Sequence, residues 1–467
     1  MLEQLKDIVG EGNLLTGADM ARYSHDWTRE FSWTPLAVVR PANTAEVAAV
    51  VKLAGATGTA VVPVSGNTNL AAASTAEGAL MLSLERMNKI REIRPEAKLA
   101  VVEAGVVLSA LREAVDAHNL IFPLTFGAQG SAMIGGNLST NAGGSNVLRY
   151  GNTRDLCLGL EVVLPNGEIM DIMSELHKDN SGYNLKHLFI GAEGTLGIIT
   201  GAVLKLAPKP RAYATAMVAA QSVSGALDLL NRLQAATGGS VEAFEYMPRP
   251  YIEAHMAAIR GARAPFETSY DVNILVEVGA TSEQGAALGP DGRPMVSSQL
   301  EETLGVLLED GVVLDAVVAQ NEAQRREMWA RREAAAEVIF AQTPIINNDI
   351  AVPVDKVEAF ITMADEAIKA ADPEAFPLIV AHLGDGNVHY AVKAPSHTPE
   401  IKAQIVEIVE ECVLHFGGSF SAEHGIGTYK LPSMARRKNK AAVSSMRAIK
   451  AALDPQNIMN PGKVIPG

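Results

Sequence analysis

The chain has 467 residues, which at roughly 100–200 residues per domain predicts more than one domain. Apolar residues make up 48% and charged residues 20%, a globular composition that excludes disorder over most of the length. The formal charge is -14 and aromatics are 5%, so the surface as a whole opposes nucleic acid and anionic lipid and offers no base-stacking platform.

The opening MLEQLKDIVGEGNLL lacks the apolar core of a signal peptide, and no run reaches the 18 apolar residues of a membrane span. Cys157 and Cys412 are too few for a disulfide framework or a four-thiolate zinc site, and a reducing cytoplasm is the expected location. From Ala37 the pattern reads strand, helix, strand, glycine loop. Asn43 or Thr44 caps a helix whose Val47, Val50, Val51 and Leu53 recur at helical spacing. VVPV is a short strand that ends at Ser65-Gly66, and LSALREAVDAHNL is a second helix.

Gly127 to Gly151 then holds seven glycines in 25 residues, against about two expected from the chain average. LEVVLPNGEIM reads as a β-hairpin turning at Asn166-Gly167, and FIGAEGTLGIITGAVLKLAP as a strand-rich piece. After Pro208 and Pro210 the character changes. Helical stretches at 222–236, 322–340, 354–371 and 400–416 alternate with the strand-like VNILVEV and FPLIVAHLGDGNVHYAV. That order predicts an α+β domain with an antiparallel sheet.

Three glycine-bearing segments are candidates for binding a phosphate-bearing cofactor. The first is Pro63, Val64, Ser65, Gly66, Asn67, Thr68 and Asn69, where small residues let consecutive amides form an anion nest. The second is FPLTFGAQGSAMIGGNLSTNAGGSN, in which Ile134 and Leu138 argue for packed structure rather than a loose loop. The third is Gly191 to Ile199. An ordinary turn, a mobile loop and a bulged strand are the respective competing readings. Neither GxGxxG nor a Walker motif occurs in these segments.

In this order and spacing, the three segments resemble the FAD-binding domain of the vanillyl-alcohol oxidase and p-cresol methylhydroxylase superfamily. The resemblance implies FAD contacts from the first segment, from Pro123, Thr125, Gly127, Ser131, Gly135, Gly136, Asn137 and Thr140 in the second, and from Glu193, Gly194 and Ile199 in the third. The first loop has no histidine, so the FAD is expected to be non-covalent. The implied fold is α+β, with a two-part FAD-binding domain over 1–210, an α+β cap domain over 211–420 and a segment 421–467 returning to the FAD domain.

Two further constellations carry chemistry. His382 and His389 flank Gly384-Asp385-Gly386, and Glu423-His424 sits between small residues. Histidines with one carboxylate suit a borderline cation that keeps open positions for substrate. Surface or hydrogen-bonded residues are the alternative. Read together, the two motifs resemble the D-2-hydroxyacid dehydrogenase branch of the superfamily. That resemblance implies a divalent metal, with Zn²⁺ the expectation, on His382, His389 and Glu423. It places a general base at His424, a substrate contact at Asn387 and a flavin contact in Asn460-Pro461-Gly462-Lys463. It also implies a homodimer and an electron acceptor, which oxygen, a quinone, a cytochrome or an electron-transfer flavoprotein could supply.

An arginine fork for the substrate carboxylate is expected in Met328 to Glu333, where the resemblance places it at Arg332. Solvated helix charge is the competing reading there. The 2-hydroxyglutarate enzymes of the branch add a threonine and a lysine for a distal carboxylate, and here those positions hold Ala336 and Asn347. The expectation is therefore a D-lactate-like monocarboxylate. Alternatives are D-2-hydroxyglutarate, glycolate, a phenol or alcohol of the wider superfamily, and a non-catalytic flavin subunit. Hydride transfer to the flavin and a carbanion route both remain open.

Overall fold

The structure, a computed structural model, describes residues 1–396 and 398–467. The chain divides into two compact units. One holds 1–143, 151–208 and 423–467, and the other 144–150 and 209–422.

Apart from a two-stranded pairing of Leu120–Ile121 with Ala207–Pro208, the first unit is built on two larger sheets. In the smaller one, Ala37–Val39, Leu80–Ser83 and Val61–Val64 run parallel, with Leu14–Leu15 antiparallel at the edge. The helix Thr44–Thr57 links two of these strands; Asn43 accepts from the Glu46 amide and Glu46 from the Ala42 amide, a reciprocal cap. The larger sheet is antiparallel, ordered Ile90–Arg94, Leu99–Glu103, Ile198–Lys205, Cys157–Val163, Ile169–Ile172, and its last pair is the expected Asn166-Gly167 hairpin. The glycine-rich second segment is more regular than its composition suggests. Ile134–Thr140 is a helix that buries Ile134 and Leu138 and ends on left-handed Asn141. These two sheets are the two parts expected of the FAD-binding domain.

The second unit is an antiparallel sheet with strand order Val313–Val318, Ala212–Ala220, Val272–Ala280, Val241–Pro248, Phe376–His382, Asn387–Lys393, Ile345–Ala351. Because successive residues face opposite ways, Phe244, Tyr246, Ala381, Val388 and Tyr390 fill one core with the amphipathic helices Val223–Thr237, Met295–Glu309, Val357–Ala371 and Pro399–His415. Met247, Leu275, Leu378, Val380 and Ala391 face the other way, into a core with Tyr251, Met328 and Val338. The stretch expected to be one helix over 322–340 is two, Glu322–Glu333 and Ala335–Phe340, divided at Ala334, whose ψ of -1° departs from the helical value. In 354–371 the first turn is a 3₁₀ turn, Val354–Lys356, following Pro353.

Candidate active site

Within the first unit the three glycine segments converge, and close packing explains why glycine is needed. A Cβ on Gly66 would lie 2.1 Å from the Ser131 carbonyl oxygen, joining the first segment to the second. One on Gly194, whose φ is +74°, would lie 2.4 Å from Pro63 Cγ, joining the third to the first. Gly136 faces Ser65, with 3.3 Å from its would-be Cβ to the serine Cβ.

The first loop is held by its own side chains. Asn67 Nδ2 donates to the His25 carbonyl and Asn67 Oδ1 accepts from Ser74 Oγ; Asn69 Nδ2 donates to Ser74 Oγ and Asn69 Oδ1 accepts from the Ala73 amide. Asn67 sits at φ +52°. Among the described residues, the amides of Gly66, Asn67, Thr68 and Asn69 meet no protein acceptor, so water or a ligand can take them.

Elsewhere the cradle retains buried polar atoms without partners: Asn137 Nδ2, a donor, and Asn460 Oδ1, an acceptor. Asn460 Nδ2 is spent on the Ala73 and Glu193 carbonyls. An orphaned donor and acceptor, in the same unit as the uncommitted amides of the first loop, fit a ligand bearing both phosphate and a polar ring, as FAD does. Pro63 and Val64 lie on the strand leading in, and Pro123 is buried. Gly135 and Thr140 lie on the 134–140 helix, and Ile199 is buried on its strand. Nothing lies within 4 Å of a Cβ built on Gly127.

Glu193 also makes contacts within the protein. Its carboxylate accepts from the Ile426 and Gly427 amides at 2.7 and 2.8 Å, so protein backbone occupies both oxygens. Burial raises its carboxyl above the ordinary range, opposed by those two amides and by the charges of Lys430 and Lys463.

Strand register assembles a second group, within the second unit. Glu245 pairs with His382, His382 with Asn387, Val380 with His389, and His389 with Asp349. All these polar residues therefore share one face across four neighbouring strands. The hairpin between the histidines needs Gly386, whose φ is +81° and whose Cβ would lie 2.1 Å from the Val352 carbonyl oxygen. The two imidazole rings are 5.3 Å apart, centre to centre. His382 Nδ1 is 2.9 Å from the Glu245 carboxylate, and His389 Nδ1 is 3.6 Å from Asp349 Oδ1. A carboxylate beside one ring nitrogen fixes an imidazole so that the other nitrogen can serve as a metal ligand.

Arg332, 9% exposed, donates from Nε to Glu245 Oε2 at 2.8 Å, while its Nη2 is buried without a partner. Burial alone would raise the Glu245 carboxyl; the charges of His382 and Arg332 outweigh it and hold the group at about 2. Asn387 Nδ2 donates to Asp349 Oδ1 and the Ile350 carbonyl, and its Oδ1 is buried without a partner. The face thus carries one unsatisfied cationic donor and one unsatisfied acceptor.

Glu245 and Asp349 are the functional candidates that sequence reasoning missed. Glu245 lies in VEAFEYMP, where an acidic residue on an otherwise buried strand is the signal that could have found it. Asp349 sits likewise in IINNDIA.

Residues 209–464 match the family of FAD linked oxidases, C-terminal domain, and residues 35–173 match an FAD binding domain. The D-2-hydroxyglutarate dehydrogenase of Xanthomonas citri pv. viticola is 36% identical over 455 residues, covering 96% of this chain and 93% of that protein. The one from Stutzerimonas stutzeri is 35% identical over 474 residues, covering 99% and 98%. The D-2-hydroxyglutarate–pyruvate transhydrogenase of Saccharomyces cerevisiae is 30% identical over 455 residues, covering 96% and 90%. Among solved structures, p-cresol methylhydroxylase superposes with a TM-score of 0.74 at 18% identity, covering 99% of this chain and 95% of that one. Alkyldihydroxyacetonephosphate synthase superposes at 0.71 and 17%, covering 98% and 84%. At those identities the two structures establish a shared fold.

Proposed function

Because the chain belongs to the FAD-linked oxidases, in their D-2-hydroxyacid dehydrogenase branch, we propose that it oxidises a D-2-hydroxy acid with one carboxylate and a short uncharged tail to the 2-oxo acid. D-lactate is the simplest such substrate. The observation that carries this reading is the half-used guanidinium of Arg332, buried beside the histidine-bearing face. A carboxylate completes that fork as a second planar acceptor. Farther along the same face, Asn347 pairs with Ala391, and neither brings a charge for a second carboxylate.

The roles are assigned as the family resemblance implies them. Arg332 pairs the carboxylate and sets the substrate's orientation. Asn387 Oδ1 offers an acceptor to a substrate donor. His424 takes the hydroxyl proton as general base. By the family resemblance, His382, His389 and Glu423 would hold a divalent cation of the Zn²⁺ kind; Glu245 stands beside the first imidazole and Asp349 beside the second. Ala422, which precedes Glu423, is tied by its amide to the Asp349 carbonyl. When bound, such a cation supplies a Lewis acid that lowers the hydroxyl pKa. Bound FAD supplies the acceptor for the two electrons leaving Cα.

A second reading, D-2-hydroxyglutarate as substrate, is favoured by the names of the similar dehydrogenases. The test is anaerobic flavin bleaching with D-lactate, L-lactate and D-2-hydroxyglutarate, with metal analysis of the same sample. Faster bleaching by D-lactate than by D-2-hydroxyglutarate, and none by L-lactate, is expected. Preference for the dicarboxylate would replace the neutral-tail reading with the second one.

A further inference from the structure

We propose that Glu193 is a positioning residue that sets the height and tilt of the His424 loop; this rests on the reading of His424 as the base. Glu193 lies in the third glycine segment, 233 positions before Ile426, yet its two oxygens accept from consecutive amides, Ile426 N at 2.7 Å and Gly427 N at 2.8 Å. Those amides begin two residues after His424. Between them and the histidine stands Gly425, at φ +75°, where a Cβ would lie 2.8 Å from Glu193 Oε1. The carboxylate is thus packed against the backbone on the C-terminal side of the imidazole-bearing residue.

The anchor is itself held rigidly. Glu193 is 6% exposed and adopts φ +51°, a left-handed conformation that a non-glycine residue keeps only when its surroundings enforce it. Its amide donates to the Ser139 carbonyl at 2.8 Å and its carbonyl accepts from Asn460 Nδ2 at 2.7 Å. On the far side of the loop, Gly427 sits where a Cβ would lie only 1.9 Å from the Ala71 carbonyl oxygen, and the Thr428 and Tyr429 amides both donate to that oxygen. A carboxylate and a carbonyl therefore pin the loop at adjacent points, and the carboxylate can be altered without changing the backbone.

A neutral amide is a poor substitute. Glu193→Gln keeps the shape but turns an NH2 toward one of the two N–H groups, donor against donor. One anchoring bond is lost and the loop is pushed outward. A displacement on the order of 1 Å at a reacting group costs about 100-fold in rate.

The experiment is a double-mutant cycle on the full-length holoenzyme, using Glu193→Gln, His424→Ala and the double variant. It reads FAD content, KM for D-lactate and the anaerobic rate of flavin bleaching. Glu193→Gln is expected to keep its FAD and its KM, to bleach about 100-fold more slowly, and to have no further effect once His424 is alanine. Glu193→Asp, which keeps both acceptor oxygens one methylene short, is expected to recover part of the rate; it carries the same comparison if the glutamine variant does not fold. Loss of FAD from Glu193→Gln would assign the residue to the cofactor cradle and overturn the proposal. An equal rate loss in both backgrounds would also overturn it, as would a wild-type rate in Glu193→Gln beside an inactive His424→Ala. A wild-type rate in His424→Ala would instead overturn the base assignment on which the proposal rests, so the two failures are distinguishable.

Discussion

Replacing Arg332 by lysine separates the charge of this residue from its shape. The guanidinium is 9% exposed, spends Nε on Glu245 at 2.8 Å and leaves Nη2 buried and unpaired. A lysine ammonium can keep the ion pair with Glu245 but has no planar fork to reach a second carboxylate at the same time. The substrate then loses one charge-assisted hydrogen bond, worth about 1.5–3 kcal/mol. At 1.36 kcal/mol per decade, that is about 10- to 150-fold in kcat/KM. The measurement is anaerobic stopped-flow bleaching of the flavin across a range of D-lactate concentrations. Arg332→Met is a poorer test, because it strands the buried Glu245 charge and costs about 3–5 kcal/mol of stability. A kcat/KM for Arg332→Lys within about twofold of wild type would refute the carboxylate assignment.

Four other outcomes are expected. Gly66→Ala drives a methyl to 2.1 Å from the Ser131 carbonyl oxygen; overpacking of about 1–3 kcal/mol should lower the flavin absorbance retained on purification, whereas Gly12→Ala, which meets nothing within 4 Å, should not, and equal retention would show that the glycine packing is dispensable. Asn347→Lys adds a cation to the site-bearing face and should shift the kcat/KM ratio toward D-2-hydroxyglutarate by about tenfold or more; an unchanged ratio sinks the neutral-tail argument. Exhaustive chelation should abolish turnover while FAD stays bound, and activity that survives it removes the metal from the mechanism. Burial raises the Asp365 carboxyl, although Tyr390 donates a hydrogen bond that opposes the shift. The folded chain therefore holds this proton more tightly than the unfolded chain, and the group's contribution is lost as pH rises from the unfolded value through the folded one. Asp365→Asn, which keeps an acceptor for Tyr390, should thus raise Tm relative to wild type more at pH 7 than at pH 4, and an equal difference at both would contradict this.

The local grammar of the chain was enough for much of the fold. Asn43 and Glu46 announce a capped helix, and Asn166-Gly167 a hairpin, because each is a preference of a few consecutive residues. HLGDGNVH places two imidazoles on one face by strand alternation around a turn that needs Gly386. Other features are not local. Ala212–Ala220 has five alanines in nine residues, a helix-leaning composition, yet it forms an inner strand because the pairings on both sides outweigh propensity. Glu245 meets His382 across 137 positions, and Glu193 meets Ile426 across 233. Which acid stands beside which imidazole or amide is set by strand register and loop packing among distant segments, and a one-residue slip in register would turn the same side chain to the opposite face.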